Sequence, residues 1–231
     1  MPIAACYVDR YGGRTRGSAP TETVLPDKDY DISMKTTGTL IMLNGASSSG
    51  KTTLLEALQN CLDEPYCNAG LDKFLFMLPE RWLERPLWDD VLGLADRAGG
   101  MGHTLVSGMH RAIRALLESG NNVLADHVLV EPAWARECAA LFAPLPAYLV
   151  GVRCPLDVLE ARERQRKNRT LGQARLQADL VHAGCVYDLE VHTDLHTPQY
   201  CAAQIKALLG SGQPPRAFAI MHERMENRHE L

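Results

Sequence analysis

Long apolar runs are missing from the 231-residue chain, so no segment that directs a protein into or across a membrane is expected. Its first twenty residues, MPIAACYVDRYGGRTRGSAP, hold no apolar core long enough for a secretory signal. No run of about eighteen apolar residues occurs, so no membrane span is expected. Cysteine forms no framework: Cys6, Cys61, Cys67, Cys138, Cys154, Cys185 and Cys201 are odd in number, scattered, and make no C-x-x-C pair. That pattern argues against a disulfide scaffold or a zinc ribbon and predicts reduced, mostly buried thiols in a cytoplasmic protein. Positive charge is not in excess either. The formal net charge of -4 and the pI near 6.1 argue against binding nucleic acid through bulk charge. Internal repeats are absent, and nothing in the sequence fixes an oligomeric state.

What is present is a globular middle. Hydrophobic content of 46% and charged content of 23% are ordinary for a folded domain, and the length suits one α/β unit. Residues 1–37 are polar, without helical or alternating periodicity, and read as a flexible extension. Residues 210–231 open with GSGQPP and end in HERMENRHEL, which reads as a tail with at most a short helix. Between them, over 38–209, short apolar runs alternate with helical patterns, the rhythm of a parallel sheet with crossover helices. Strands are expected at Thr39 to Asn44, Tyr66 to Leu71, Asn122 to Val128, Ala147 to Arg153 and Val186 to His192. Helices are expected at Lys51 to Leu62, Gly102 to Ser119, Pro132 to Phe142, Pro155 to Arg166 and Pro198 to Leu209, the last with Thr197 as N-cap. Five such strands make a three-layer α/β/α domain. Right-handed crossovers then gather every strand's carboxyl end, and any ligand site, along one edge.

The first such edge carries Gly45-Ala46-Ser47-Ser48-Ser49-Gly50-Lys51-Thr52, a match to G-x-x-x-x-G-K-[ST]. A chain of this length matches by chance roughly 1% of the time at average residue frequencies, so the context decides. An apolar strand comes directly before and a helix directly after, as a phosphate loop requires. Gly45 and Gly50 permit backbone angles that turn successive N–H groups into one concavity, and the helix start adds its positive dipole end. The loop with Thr53 is the expected nucleoside triphosphate site. Lys51 is expected to reach the β- and γ-phosphates and the Thr52 hydroxyl to ligate Mg²⁺. A plain Ser/Gly turn capping a helix is the competing reading.

A phosphate loop alone does not choose among kinases, GTPases, motors and nucleotide sensors. The absence of an N/T-K-x-D base-recognition motif weighs against a GTPase, and the small size weighs against a motor. Asp72, expected at the carboxyl end of the second strand, can take the proton of an acceptor hydroxyl or can simply cap the helix after it. Asp126, closing the run Val123-Leu124-Ala125, is placed to serve a Mg²⁺ site or to be an ordinary strand-end acid. His127 reads as a lining or packing residue rather than a ligand, and His182, with Cys185 nearby, as a satisfied polar residue rather than a metal site. Glu160 to Arg175, EARERQRKNRTLGQAR, carries six basic residues against two acids. It forms either a solvated helix face or a lid whose arginines, with Arg164 and Arg169 as candidates, neutralise the transferring phosphoryl group. The apolar stretch Phe74 to Gly102, with Phe76, Met77, Trp82 and Trp88, supplies core and an acceptor pocket beside Asp72.

On the ordered pieces IMLNGASSSGKT, GLDKF, NVLADHV, VGVRCPLDVLEARE and VHAGCVYDLEVHTD, the chain resembles the chloramphenicol phosphotransferase family of small phosphate-loop kinases, from Leu40 to Thr197. The resemblance implies ATP- and Mg²⁺-dependent phosphorylation of a hydroxyl on a small alcohol, with antibiotic tolerance as a role and Asp72 as the base. It departs where the family has an acidic pair and this chain has Asp126-His127. A kinase of a nucleotide sugar or polar metabolite (zeta-toxin-like, or of the shikimate or gluconate type) and a non-catalytic ATP-binding regulator are the rival readings.

Overall fold

The computed structural model describes residues 37–79, 99–165 and 172–227. Five strands form one wholly parallel sheet: β1 (Leu40–Asn44), β2 (Tyr66–Asn68), β3 (Asn122–His127), β4 (Ala147–Arg153) and β5 (Leu189–His192), in the order β2-β3-β1-β4-β5. The central strand β1 pairs with β3 on one side and β4 on the other, with Asn44 opposite His127 and Gly151. The three-layer α/β/α architecture expected from the sequence is the one observed.

The layers follow from side-chain alternation along continuously apolar strands, which must bury both faces. Leu40 and Met42 of β1 face one side with Val123, Ala125 and Leu149. There they meet α2 (Leu71–Leu75), α3 (Gly99–Glu118), α4 (Pro132–Phe142) and α8 (Ala217–Glu226). Ile41 and Leu43 face the other side with Leu124, Val150, Val152 and Val191, under α1 (Lys51–Cys61) and α7 (Pro198–Gly210). Thr197 caps α7 as expected, its hydroxyl accepting from the Tyr200 N–H at 3.2 Å. A third, smaller cluster of Ala46, Val128, Leu159, Ala174 and Val181 lies beneath the phosphate loop. It joins the loop to α5 (Leu156–Gln165) and α6 (Gln173–Ala178).

Three boundaries need correction. β2 stops at Asn68 rather than Leu71, because Gly70 turns the chain into α2 and Leu71 opens that helix. β5 starts at Leu189 rather than Val186. Asp188 still pairs with the sheet, giving its N–H to the Leu149 carbonyl and accepting the Leu149 N–H on its own carboxylate, both at 2.9 Å. The segment read as a tail from 210 onward contains α8, whose Ala217, Phe218 and Met221 are buried and whose Phe218 ring meets Phe142 at 5.5 Å. No neighbouring residue caps α8. The Asp188 carboxylate does so from a distance, accepting the N–H groups of Arg216 and Ala217 at 2.7 and 3.0 Å. The flexible extension expected over 1–37 lies outside the described residues except for Thr37. Among the described residues no helix is long and apolar enough to cross a membrane.

Candidate active site

β1 delivers the chain to the loop through Asn44, which is wholly buried. Its amide donates to the Val181 carbonyl (2.7 Å) and the Tyr187 hydroxyl (2.8 Å), and its oxygen accepts from the Leu129 N–H (2.9 Å). The loop then turns through left-handed backbone at Ser48 (φ 64°) and Gly50 (φ 90°), which aims consecutive N–H groups inward. Gly45 is required by proximity: a Cβ there would stand 2.6 Å from the Val152 carbonyl oxygen. The hydroxyls of Ser47 and Ser48 are buried without a hydrogen-bond partner, and the Lys51 ammonium lies in the loop, donating to the carbonyls of Gly45 (2.6 Å) and Ala46 (2.7 Å). Orphaned hydroxyls, inward amides, a cation and a helix start together suit a ligand rich in acceptor oxygens, such as a triphosphate.

One cleft joins this loop to two carboxylates. Ser47, Ser48, Gly50, Lys51 and Thr52 line it from one side, and Leu71, Asp72, Asp126, His127, Val128 and Gln177 from the others. Asp72 reaches the cleft from the first turn of α2, not from the end of β2 as expected. Asp126 is the penultimate residue of β3. Gly70 lets the two carboxylates converge, because a Cβ at position 70 would lie 1.9 Å from Asp126 Oδ1. The Thr52 hydroxyl and the Asp126 carboxylate are hard oxygen donors on the same cleft, a set that fits Mg²⁺.

The remaining expected residues divide. Ala46 and Ser49 face a second cleft on the β4 side of the loop, shared with Arg153, Cys154, His182 and His192. Thr53 is exposed on α1. Arg164 is exposed on α5 and is not among the described residues lining either cleft; Arg169 lies outside the described residues. The arginine that does engage the loop's surroundings is Arg162. Its guanidinium donates to the Thr193 carbonyl (2.7 Å) and hydroxyl (3.1 Å), and that hydroxyl donates to the Ser49 carbonyl at 2.6 Å. Gln177, also unanticipated, accepts the Ser47 N–H at 2.7 Å. The buried Glu163 carboxylate accepts from the N–H groups of Gly172 (2.8 Å) and Ala174 (2.9 Å), fixing α6 onto α5. No spacing motif announces Gln177, Arg162 or Thr193; only helix phase and the sheet order bring them to the loop.

Two histidines beside the loop, His127 and His182, are pushed below their usual range. Burial pushes His127 well below its usual range, with His110 beside it acting in the same direction. Burial, then the positive charge of Arg153, holds His182 down to about 4, and its Nδ1 pairs with the Tyr187 hydroxyl at 2.6 Å. Positive charge in the first cleft is therefore left to Lys51 among the described lining residues.

Comparison with known proteins bears on the family and the fold. The family model described as chloramphenicol phosphotransferase-like protein matches residues 38–210. Two Mycobacterium tuberculosis proteins, from strains CDC 1551 / Oshkosh and H37Rv and each provisionally named an O-phosphotransferase, are 34% identical over 200 residues, covering 81% of this chain and 89% of theirs. Among solved structures, shikimate kinase from Acinetobacter baumannii in complex with shikimate superposes with a TM-score of 0.54 at 15% identity, over 77% of this chain and 96% of that one. The Mycobacterium tuberculosis APS kinase in complex with AMPPNP and APS gives 0.52 at 15% identity, over 75% and 98%. At these identities the structural likeness speaks for the fold.

Proposed function

The chain belongs to the chloramphenicol phosphotransferase-like family and is a phosphotransferase with the fold of small-molecule kinases, and from that premise we propose that it moves the γ-phosphoryl group of ATP to a hydroxyl of a small, uncharged alcohol. The observation that carries this reading is the single cleft in which Lys51, Thr52 and the loop amides face Asp72 and Asp126. Loop N–H groups and Lys51 hold the triphosphate and offset the charge that builds on its terminal oxygens. Asp72 accepts the acceptor hydroxyl's proton as that oxygen bonds to the γ-phosphorus and the bridging bond to ADP breaks. ADP leaves, and Asp72 returns the proton to water. Thr52 and Asp126 would hold Mg²⁺, which supplies charge neutralisation between the phosphates when bound.

The described lining of the cleft favours an uncharged acceptor. Leu71, Val128 and the neutral His127 flank the carboxylates, and the one cation among the described lining residues belongs to the phosphate loop itself. Phe76 and Met77, at the end of the helix bearing Asp72, expose 64% and 71% of their surface. A carboxylated or phosphorylated acceptor would call for arginines, and the described lining residues include none. The Phe74 to Gly102 stretch expected to complete the pocket lies partly outside the described residues. The test is a panel of hydroxyl compounds, with chloramphenicol beside sugars, shikimate-type acids and nucleotide sugars, incubated with ATP and Mg²⁺ and read by mass. Gain of one phosphoryl group by a neutral amphipathic alcohol is expected. Transfer only to the anionic members would establish the polar-metabolite reading instead, and ATP binding without any transfer would establish the regulator.

A further inference from the structure

From His127 on the cleft wall a buried run of polar groups leads into α3 and α4, and the proposed chemistry does not use it. His127 Nε2 stands 2.8 Å from His110 Nε2, and His110 Nδ1 stands 2.8 Å from the Glu137 carboxylate. Both histidines are fully buried, while the Glu137 side chain is 21% exposed and also accepts from the Ser107 hydroxyl (2.6 Å) and from Arg111 (3.3 Å). At the other end, the Val128 backbone N–H donates to His127 Nδ1 at 2.7 Å.

These contacts fix where every ring proton sits. A backbone N–H can only donate, so His127 Nδ1 carries the lone pair and the ring's single proton is on Nε2. That proton points at His110 Nε2, which must therefore accept, leaving the His110 proton on Nδ1 and aimed at Glu137. All four ring nitrogens are used, in one direction, from the strand end to the carboxylate. An added proton has no place: on His127 Nδ1 it would oppose the Val128 N–H, and on His110 Nε2 it would oppose the His127 N–H.

Cys138 Sγ lies 3.4 Å from His110 Nε2, and the ligand atoms of His110, His127 and Cys138 fall within 4.8 Å of one another, as in a metal site. The proton positions do not fit one. A cation on His127 Nε2 would require the ring proton on Nδ1, facing the Val128 donor at 2.7 Å. Burial also raises the Cys138 thiol well above its ordinary range, away from the thiolate a metal needs.

We propose that Glu137, His110 and His127 are positioning residues that set the Asp126 carboxylate from behind, by locking the backbone where β3 leaves the sheet. Around the exit, each amide has its own holder: Val128 N–H is held by the His127 ring, Leu129 N–H by Asn44, and Val130 N–H by the Val128 carbonyl. The first depends on a side chain held in turn by His110 and, through it, by Glu137, and it is the one that belongs to the residue next to Asp126. Asp126 adjoins that residue and is wedged against Gly70, so a ring that tilts carries the carboxylate with it. The chain has this arrangement where the resemblance leads one to expect a second acid, and the histidine pair thus substitutes a rigid support for a charge.

The inference rests on the proposed kinase reaction, and its test separates the two. Long-range ¹⁵N spectra of the wild-type chain should show His127 protonated at Nε2 and His110 at Nδ1; either ring in the other tautomer overturns the proposal. Glu137→Ala should lower kcat by about tenfold, the low end for groups that orient a ligand from behind, with the ATP KM unchanged. Glu137→Gln, whose amide oxygen still accepts from His110 Nδ1, should restore kcat. A Glu137→Ala protein with wild-type kcat, or a Glu137→Gln protein as slow as Glu137→Ala, overturns it. The tautomer measurement uses the wild-type chain and so decides even where Glu137→Ala does not fold. If no hydroxyl compound is phosphorylated, the kinase reading fails while the relay is still judged. In that case the Asp126 carboxyl ¹³C resonance should move in Glu137→Ala and return in Glu137→Gln, and a resonance unmoved in Glu137→Ala overturns the proposal.

Discussion

On the β3 flank of the phosphate loop, two carboxylates share the cleft with Lys51, and the strand end bearing Asp126 is fixed by close contacts and fully buried side chains: Gly70 against Asp126, His127 against His110. On the β4 flank, a guanidinium, a hydroxyl and backbone carbonyls brace the loop, with Arg162 and Thr193 carrying a hydrogen-bonded path to Ser49. The first flank holds charged oxygens where a small displacement changes chemistry. The second holds the shape of the loop, where one lost bond costs affinity. The same sheet edge therefore divides reaction from retention, and substitutions on the two flanks should differ in which kinetic constant they move.

The largest expected effect lies on the β3 flank. Asp72→Asn should lower kcat by about 10³-fold, within the range for loss of a general base, and leave the calorimetric ATP Kd unchanged. A variant that still turns over at the wild-type rate would move the base elsewhere. Gly70→Ala comes next: its Cβ would meet Asp126 Oδ1 at 1.9 Å, so the carboxylate must shift. A loss in kcat of about 10²-fold is expected from such misplacement, with ATP affinity nearly intact, and stopped assays at saturating ATP would detect it. Unaltered kcat would mean that Asp126 has no geometric task.

The β4 flank should answer differently. Thr193→Val removes the hydroxyl that donates to the Ser49 carbonyl, at a cost of about 1 kcal/mol, which corresponds to an ATP Kd raised about fivefold. Its kcat at saturating ATP should stay near wild type; a kcat defect without an affinity defect would erase the distinction between the flanks.

The smallest effect is on stability. His182, on the β4 flank, is lowered from 6.5 to about 4, and His110 and His127 are lowered as well. Depressed folded-state values mean that the unfolded chain takes up protons first as pH falls. The stability these groups leave intact above 6.5 is lost as pH falls from 6.5 toward 4. Thermal melts should show a lower Tm at pH 5 than at pH 7, and His182→Gln should flatten the slope. A Tm indifferent to pH over that span would contradict the neutral assignments.

Much of this architecture is legible in the sequence because it is set by local rules. Leu40 to Leu43 are apolar at every position, which is what a central strand buried on both faces requires, and GASSSGKT needs its glycines for the loop to turn. What escaped depends on contacts made across the fold. Nothing local marks Gly70 as the place where β2 becomes α2; its role comes from Asp126, 56 residues further on by numbering. α8 is capped by Asp188, which lies 28 residues before Arg216 in the chain. The lid stretch offers several arginines, and the phase of α5 brings Arg162 to Thr193 while leaving Arg164 exposed. His110, His127 and Glu137 follow no motif, being brought together by α3, β3 and α4 from 17 and 27 residues apart.

The central claim is geometric: triphosphate and acceptor share one cleft with Asp72 between them. A crystal structure with AMPPNP, Mg²⁺ and a phosphorylatable alcohol tests it most directly. The account predicts the Asp72 carboxylate within hydrogen-bond reach of the acceptor oxygen, about 2.6–3.2 Å, with that oxygen facing the γ-phosphorus. An acceptor bound away from Asp72, with its hydroxyl served by another base, would contradict it.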